Sequence, residues 1–231
     1  MEINPSTPFL VLYEDAHCLA VAKPAGLATQ GRSGPTLESA IRAYLSPEDP
    51  GGIFLGTVHR LDRPVSGAML WAKTPKAARR LATQFAERSA NKLYWALVQG
   101  RPLQDSGLWE DWLYEEDTGV GRVQICRPGT PRSRLARTRF AIVPLTPGVA
   151  LPTGVTWLAF RPETGRTHQL RVQSSGRGMP VLGDRSYGST DQFDDGIALH
   201  SRSIELDHPI TGRPLMVEAA PPHAWPAFIR D

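Results

Sequence analysis

The sequence predicts an α+β fold, a mixed, mainly antiparallel sheet with a few packed helices. Three observations carry this expectation. Short apolar runs bounded by Gly, Pro, Asn and Asp greatly outnumber helical periodicities. Helix-like spacing is confined to three short stretches. No internal repeat, low-complexity segment or dividing linker interrupts the chain, so 1–231 is read as a single domain.

The elements follow in order. Residues 9–13 form an apolar run ended by Glu14 and Asp15, a strand and a turn. A second strand over 19–22 stops at Lys23-Pro24-Ala25-Gly26, a turn by its Pro and Gly. After a loop at 31–35, residues 36–45 place Leu37, Ala40, Ile41, Tyr44 and Leu45 on one helical face. Residues 68–72 read as a buried strand. The clearest helix opens next, with Thr74 as N-cap and Pro75 at its first position. Ala77, Leu81 and Phe85, with Ala78 and Ala82, form its apolar stripe, and Arg79, Arg80, Glu87 and Arg88 lie off it.

The strand over 92–100 is apolar on both faces, which predicts a central position. Residues 121–143 read as two strands around Pro128-Gly129, and 155–161 alternate as another. That strand runs into a turn at Gly165 and a helix capped by Thr167. Residues 183–188 and 191–196 are polar loops. A short strand at 198–206, or a helical turn followed by one, a turn at 209–212 and a last strand at 215–218 complete the chain.

The 231 residues are 41% hydrophobic, enough to bury a core. No apolar run is long enough to span a bilayer, and Met1-Glu2-Ile3-Asn4-Pro5 lacks the basic-then-apolar order of a signal peptide. Two cysteines, Cys18 and Cys126, give neither a disulfide framework nor a Cys-x-x-Cys pair. A cytoplasmic protein, not bound to membrane and acting as a monomer, is the expectation. Net charge is +3 with 22 arginines against four lysines. Arginine suits phosphate, although codon use in a GC-rich genome has the same effect on composition. The distribution tells more. Residues 118–140 hold Arg122, Arg127, Arg132, Arg134, Arg137 and Arg139 with no acid, as a segment tracking a nucleic-acid backbone does.

Gly56-Thr57-Val58-His59-Arg60-Leu61-Asp62-Arg63-Pro64-Val65-Ser66-Gly67 sets one carboxylate between two arginines on a loop. A surface ion pair is one reading of it. The other is a carboxylate kept ionised by neighbouring positive charge for chemistry on a polyanion. His17, His59, His168, His200, His208 and His223 show no metal-ligand spacing, so no metal is expected. The chain has neither Gly-x-x-x-x-Gly-Lys nor Gly-x-Gly-x-x-Gly, and no nucleotide cofactor is expected either.

These residues carry a resemblance. His59-Arg60-Leu61-Asp62 followed by Ser66-Gly67 resembles the active-site motif of RluA-type RNA pseudouridine synthases. Lys92-x-Tyr94-x-Ala96-x-Val98-x-Gly100, Gly165-Arg166-Thr167-His168-Gln169-Leu170-Arg171-Val172 and Gly183-Asp184-x-x-Tyr187-Gly188 resemble three further family motifs, in the same order. Lys23-Pro24-Ala25-Gly26-Leu27 and His208-Pro209-x-x-Gly212 fit as well, so the likeness covers about 9–228. Ser66 stands where the family usually has threonine, and Gln173 where histidine is common. Only about eight residues precede the first strand, so the small S4 RNA-binding domain that many members carry is not expected here. RNA affinity is therefore expected from the catalytic domain itself or from the RNA's own fold.

The resemblance implies the pseudouridine synthase catalytic fold and conversion of uridine to pseudouridine in rRNA or tRNA, without cofactor or metal. The C1′–N1 bond breaks, the uracil turns, and C5 joins C1′. Asp62 is the implied catalytic residue, either attacking C1′ or removing the 2′ proton. Arg171 matches the arginine that pairs with this aspartate, and Tyr94 the tyrosine that stacks on a flipped-out uracil. Arg63, Arg60 and His59 are implied to hold the nucleotide or its phosphates, with a structural loop histidine as the other reading of His59. His168 and Gln169 are expected to shape the helix start, and Asp184 and Tyr187 to order a loop. Two alternatives stand beside this. One is a catalytically inactive RNA-binding protein of the same fold. The other, a glycosidase-like hydrolase, lacks the second carboxylate that retaining chemistry needs.

Overall fold

The computed structural model describes residues 7–31, 34–116 and 122–230. The first five residues, Arg32 and Ser33 of the 31–35 loop, and Gly121 at the head of the 121–143 strand pair lie outside the described residues. In chain order the elements are β1 (Leu10–Glu14), β2 (Cys18–Lys23), α1 (Leu37–Leu45), β3 (Gly56–Thr57), β4 (Ser66–Ala72), α2 (Pro75–Ala86) and β5 (Asn91–Gln99). Then come β6 (Ser106–Glu115), β7 (Val123–Cys126), β8 (Arg134–Ile142), β9 (Val155–Pro162), α3 (Gln169–Ser175), β10 (Leu199–Asp207), β11 (Pro214–Glu218) and α4 (Ala227–Arg230). They form two compact units, Met1–Lys92 with His200–Asp231, and Leu93–Leu199.

In the first unit β4 is the organising strand, and all seven of its residues are buried. It pairs antiparallel with β2, which pairs antiparallel with β1. Its other edge is shared between β10, parallel at Ser66 and Gly67, and β3, antiparallel at Trp71 and Ala72. β11 extends β10 antiparallel. Ala68, Leu70 and Ala72 join Ala77 and Leu81 of α2 and Ile204 and Leu206 of β10 in one core. Met69 and Trp71, on the opposite face, are fully buried too, as a strand covered on both faces requires. Thr74 accepts from the Ala77 N–H at 3.2 Å and Pro75 occupies the first turn, so α2 begins where its sequence predicts. Thr36 and Ser39 form a capping box on α1.

The second unit is an antiparallel sheet in the order β5-β9-β8-β6-β7. The C-terminal half of β5 is hydrogen-bonded on both edges. β9 holds one edge. On the other, Leu97 N–H donates to Ala198 O, Leu182 N–H to Leu97 O and Gln99 N–H to Pro180 O. Ala96, Leu97 and Val98 are buried accordingly.

β6, the longest strand, has no counterpart among the sequence expectations. It separates the two strands read from 121–143, which pair with it and not with each other. Glu110 and Asp111 break its apolar alternation, and both charges are answered across the fold. Glu110 pairs with Arg137 at 2.9 Å, and Asp111 accepts from Arg177 at 2.9 Å and from Gln173 at 2.7 Å.

The start of α3 also differs from expectation. Its N-cap is His168 and not Thr167, in the left-handed region at φ 51° and without a side-chain cap. Gln169, the first residue of the helix, ties the incoming turn to β8. Its Oε1 accepts from the Arg166 N–H at 3.0 Å, and its Nε2 donates to Arg137 O at 3.0 Å. Thr167 Oγ1 is turned to Glu115 Oε2 at 3.3 Å.

Candidate active site

The Asp62 loop is held from behind by residues of the Lys23–Thr29 turn. Lys23 is 1% exposed, and its Nζ donates to Pro24 O at 2.8 Å, Leu27 O at 2.7 Å and Arg63 O at 3.1 Å. Three carbonyls match the three donors of an ammonium group. Thr29 clamps the neighbouring Leu61 backbone in both directions, its Oγ1 donating to Leu61 O at 2.7 Å and accepting from Leu61 N–H at 3.3 Å. Arg63 Nε donates to Gly26 O at 2.8 Å, and Val65 N–H closes a turn onto Asp62 O at 3.0 Å. Asp62 is thus a half-buried carboxylate on a backbone fixed on either side, between the exposed Arg60 and Arg63.

Lys23→Met keeps the bulk of the side chain and strips three part-buried carbonyls of their donor. Its expected effect is a loss of about 3 kcal/mol of stability. Faster amide exchange in the Asp62 loop is expected with it. An unchanged denaturation midpoint would refute this role.

The Ser66-Gly67 pair has a packing reason. Gly67 adopts φ 118°, and a Cβ there would collide with the Ser201 backbone. Ser66 Oγ lies 2.9 Å from His200 Nδ1, and His200 Nε2 lies 3.0 Å from Ala219 O. The carbonyl can only accept, so the proton sits on Nε2, and Ser66 donates to Nδ1. Serine in place of the family's usual threonine supplies this hydroxyl. Burial pushes the His200 imidazolium down to about 4.

His59 is tied into the same unit. Its Nε2 accepts from the Leu70 N–H at 2.9 Å, and its ring stacks on Phe85 with centroids 4.8 Å apart. Burial, helped by the Lys92 charge, pushes it down to about 3. The ring accepts in that bond as the neutral imidazole.

In the second unit, Arg171 is 5% exposed and Asp184 1%. They form a two-pronged pair, Nε to Oδ2 at 2.7 Å and Nη2 to Oδ1 at 2.9 Å, which leaves Nη1 outside the fork. The guanidinium lies over the Tyr187 ring, 4.9 Å from its centroid, and Tyr187 OH is 2.9 Å from His168 Nδ1. Gly183-Asp184-x-x-Tyr187 is therefore an orienting frame for Arg171, beyond the loop-ordering role read from sequence. Tyr94 stands half-buried on β5 opposite Phe160 of β9. Thus His59, Arg60, Asp62 and Arg63 share one loop in the first unit, whereas Tyr94 and Arg171 belong to the second.

Among the described residues, one group of metal-ligand atoms lies close together, those of Asp15, Cys18 and His208, within 4.8 Å of one another. The Asp15 carboxylate and the His208 ring are already spent on a clip. Asp15 Oδ1 accepts from the His17 and Cys18 N–H groups at 2.8 and 2.7 Å, and Oδ2 lies 2.9 Å from His208 Nε2. His208 Nδ1 accepts from the Thr211 N–H at 3.1 Å, which explains the His-Pro-x-x-Gly turn. Burial pushes the Cys18 thiol up to about 12.

Burial alone would raise the Asp15 carboxyl, but the backbone donors of His17 and Cys18, and then His208, outweigh it and hold the group below its ordinary 3.8. A depressed folded pKa stabilises above the unfolded value and is lost as pH falls through the folded one. The stability gap between wild type and Asp15→Asn is expected to be full above about pH 4 and to shrink below it. Urea melts at several pH values test this, and a gap that persists in acid would refute it.

A family model for RNA pseudouridylate synthases matches residues 17–175. The chain belongs to that family. It is 34% identical over 228 residues to the ribosomal large subunit pseudouridine synthase C of Vibrio vulnificus, covering 91% of this chain. It is 31% identical over 229 residues to the tRNA pseudouridine synthase C of Salmonella typhimurium, covering 93% of this chain. The chain spans less than two thirds of the Vibrio relative and of a Synechocystis relative (65% and 64%), but 86% of the Salmonella one. Among solved structures, the human RNA pseudouridylate synthase domain containing 1 matches with a TM-score of 0.76 at 25% identity, over 96% of this chain and 87% of that one. The mixed sheet with few helices is the pseudouridine synthase fold, as the sequence predicts. No helix among the described residues is long and apolar enough to cross a membrane.

Proposed function

We propose that this chain converts specific uridines of ribosomal or transfer RNA to pseudouridine, with Asp62 as the essential carboxylate. The observation that carries the reading is the Asp62 loop. A half-buried acid stands there within the family's motif, and Lys23 and Thr29 hold the backbone of its neighbours Arg63 and Leu61. Such rigid placement is what chemistry at a sugar carbon requires. Tyr94 and Arg171 are assigned to the substrate uridine, Arg60 and Arg63 to its flanking phosphates. His59 supports the loop. The atoms balance without a co-reactant, because the glycosidic C–N bond is exchanged for a C–C bond and the C5 proton moves to nitrogen through solvent. The enzyme is assigned to the cytoplasm, without metal or cofactor. The relatives' names favour RNA of either class as substrate.

The deciding experiment maps pseudouridines in transfer and ribosomal RNA from cells with and without the gene. Loss of one site on deletion, restored by wild type but not by Asp62→Asn, is the expected result. No lost site, together with tight RNA binding by the pure protein, would overturn it in favour of a binding protein.

A further inference from the structure

We propose that the solvent face of α2, through Lys76, Arg79 and Arg88, binds backbone phosphates of the substrate RNA beside the segment that reaches Asp62. The inference rests on the RNA-modifying reading above and adds a surface of the first unit to it.

α2 lies against the arm that carries Asp62. A Cβ at Gly56, which opens that arm, would come within 2.9 Å of Ala78 Cβ. His59, three residues ahead of Asp62, stacks on Phe85. The helix spends its apolar stripe on these contacts and on the core, where Ala77 and Leu81 are buried and Ala78 and Phe85 pack against the cluster. It has no free apolar face of the kind by which an amphipathic helix enters a bilayer.

What α2 offers outward is charge. Lys76 and Arg79 are both exposed and stand three residues apart, so they share one face. Arg88, just past the C-cap, is exposed as well. The 12 residues of α2 run about 18 Å, a length over which a nucleic-acid strand presents several phosphates. Among the described residues, Lys76, Arg79 and Arg88 have no acid partner. Arg80 differs, because its Nη1 donates to Pro209 O at 2.7 Å.

These charges run against the helix's own preferences. A helix favours acids at its N-terminus and bases at its C-terminus. α2 has no acid in its first turn and no base in its last, while Lys76 occupies the first turn and Glu87 the C-cap. Arg88 adopts φ 63°, the left-handed place after a cap that glycine fills at least cost. Lys76 and Arg88 therefore stand where they lower stability, and no ion pair within the described residues offsets it. A polyanion laid along this face supplies the missing partner for all three cations.

The test compares wild type with a Lys76→Gln/Arg79→Gln double variant, with Arg88→Gly, with Glu87→Gln, and with Arg101→Ser as a charge control whose arginine is paired with Asp105 on the surface. RNA affinity is measured across a salt series, together with KM and kcat for tritium release from 5-tritiated uridine in RNA. Each variant is also melted. The double variant is expected to bind RNA about tenfold more weakly and to lower the slope of log affinity against log salt by about 1.5, with the loss in KM rather than kcat. Its Tm is expected to match or exceed that of wild type, since the lysine removed opposes the helix dipole. Arg88→Gly is expected to raise Tm while weakening RNA binding severalfold. Glu87→Gln is expected to tighten RNA binding about twofold, and Arg101→Ser to match wild type. A double variant with wild-type affinity and salt slope, alongside active wild type, overturns the surface and leaves the enzymatic reading intact. An inactive wild type whose RNA binding still drops in the double variant overturns the enzymatic reading and leaves the surface. A double variant that melts well below wild type and loses kcat as well as KM overturns the surface in favour of a structural role. Equal losses in Arg101→Ser overturn it in favour of a diffuse charge effect.

Discussion

Asp62→Asn is expected to lower pseudouridine formation by about 10⁴-fold or more, the scale on which loss of an essential nucleophile or base acts, while RNA affinity stays within about threefold. The two parts of the expectation have separate causes. Asn cannot attack C1′ as a carboxylate does, nor accept the 2′ proton, so either chemical route fails. The loop itself survives, because the turn at this residue is closed through its main-chain oxygen and the neighbouring residues are held by Lys23 and Thr29. Single-turnover tritium release and a filter-binding isotherm on the same RNA read both quantities. Residual turnover within about tenfold of wild type would remove Asp62 from the chemistry.

The second large effect is expected from Asp184. Removing its carboxylate, as in Asp184→Leu, leaves the Arg171 charge without its buried two-pronged partner. Breaking such a pair from one side costs about 3–5 kcal/mol, a fall in Tm on the order of 10 °C for a chain of this size. Turnover is expected to fall as well, because the fork and the Tyr187 ring set the direction of the guanidinium. Arg171→Met combined with Asp184→Leu separates the two effects. Stability is expected to recover in the double variant, since no isolated charge remains, while turnover stays low. Recovery of both would reduce Arg171 to a structural residue. A single Asp184→Leu variant as stable as wild type would refute the pairing argument.

The catalytic candidate was legible because its motif is local. His59 to Gly67 sit within nine residues, and the composition of that stretch alone draws attention to Asp62. The elements around it were legible for the same kind of reason. A run of apolar residues marks β4, and Thr74-Pro75 marks the start of α2 through a bond spanning three residues. Local signals of this sort depend only on covalent geometry, capping and side-chain periodicity.

β6 escaped that reading because its Glu110 and Asp111 disguise a strand whose charges are neutralised by Arg137 and Arg177, 27 and 66 residues away. Thr167 competed with His168 as the cap of α3, and the choice fell to a left-handed backbone that no propensity signals. Lys23 and Thr29 likewise reveal their purpose only through Arg63 and Leu61, 40 and 32 residues on.

The sequence by itself determined the family, the fold class and the carboxylate on which the chemistry is proposed to turn. Tertiary structure alone decided what holds that loop, what orients Arg171, and which acids answer Arg137 and Arg139 of the basic segment. The division has one physical cause. Strand, turn and cap preferences act between neighbours in the chain, whereas a buried charge or hydroxyl must find its partner wherever packing brings one.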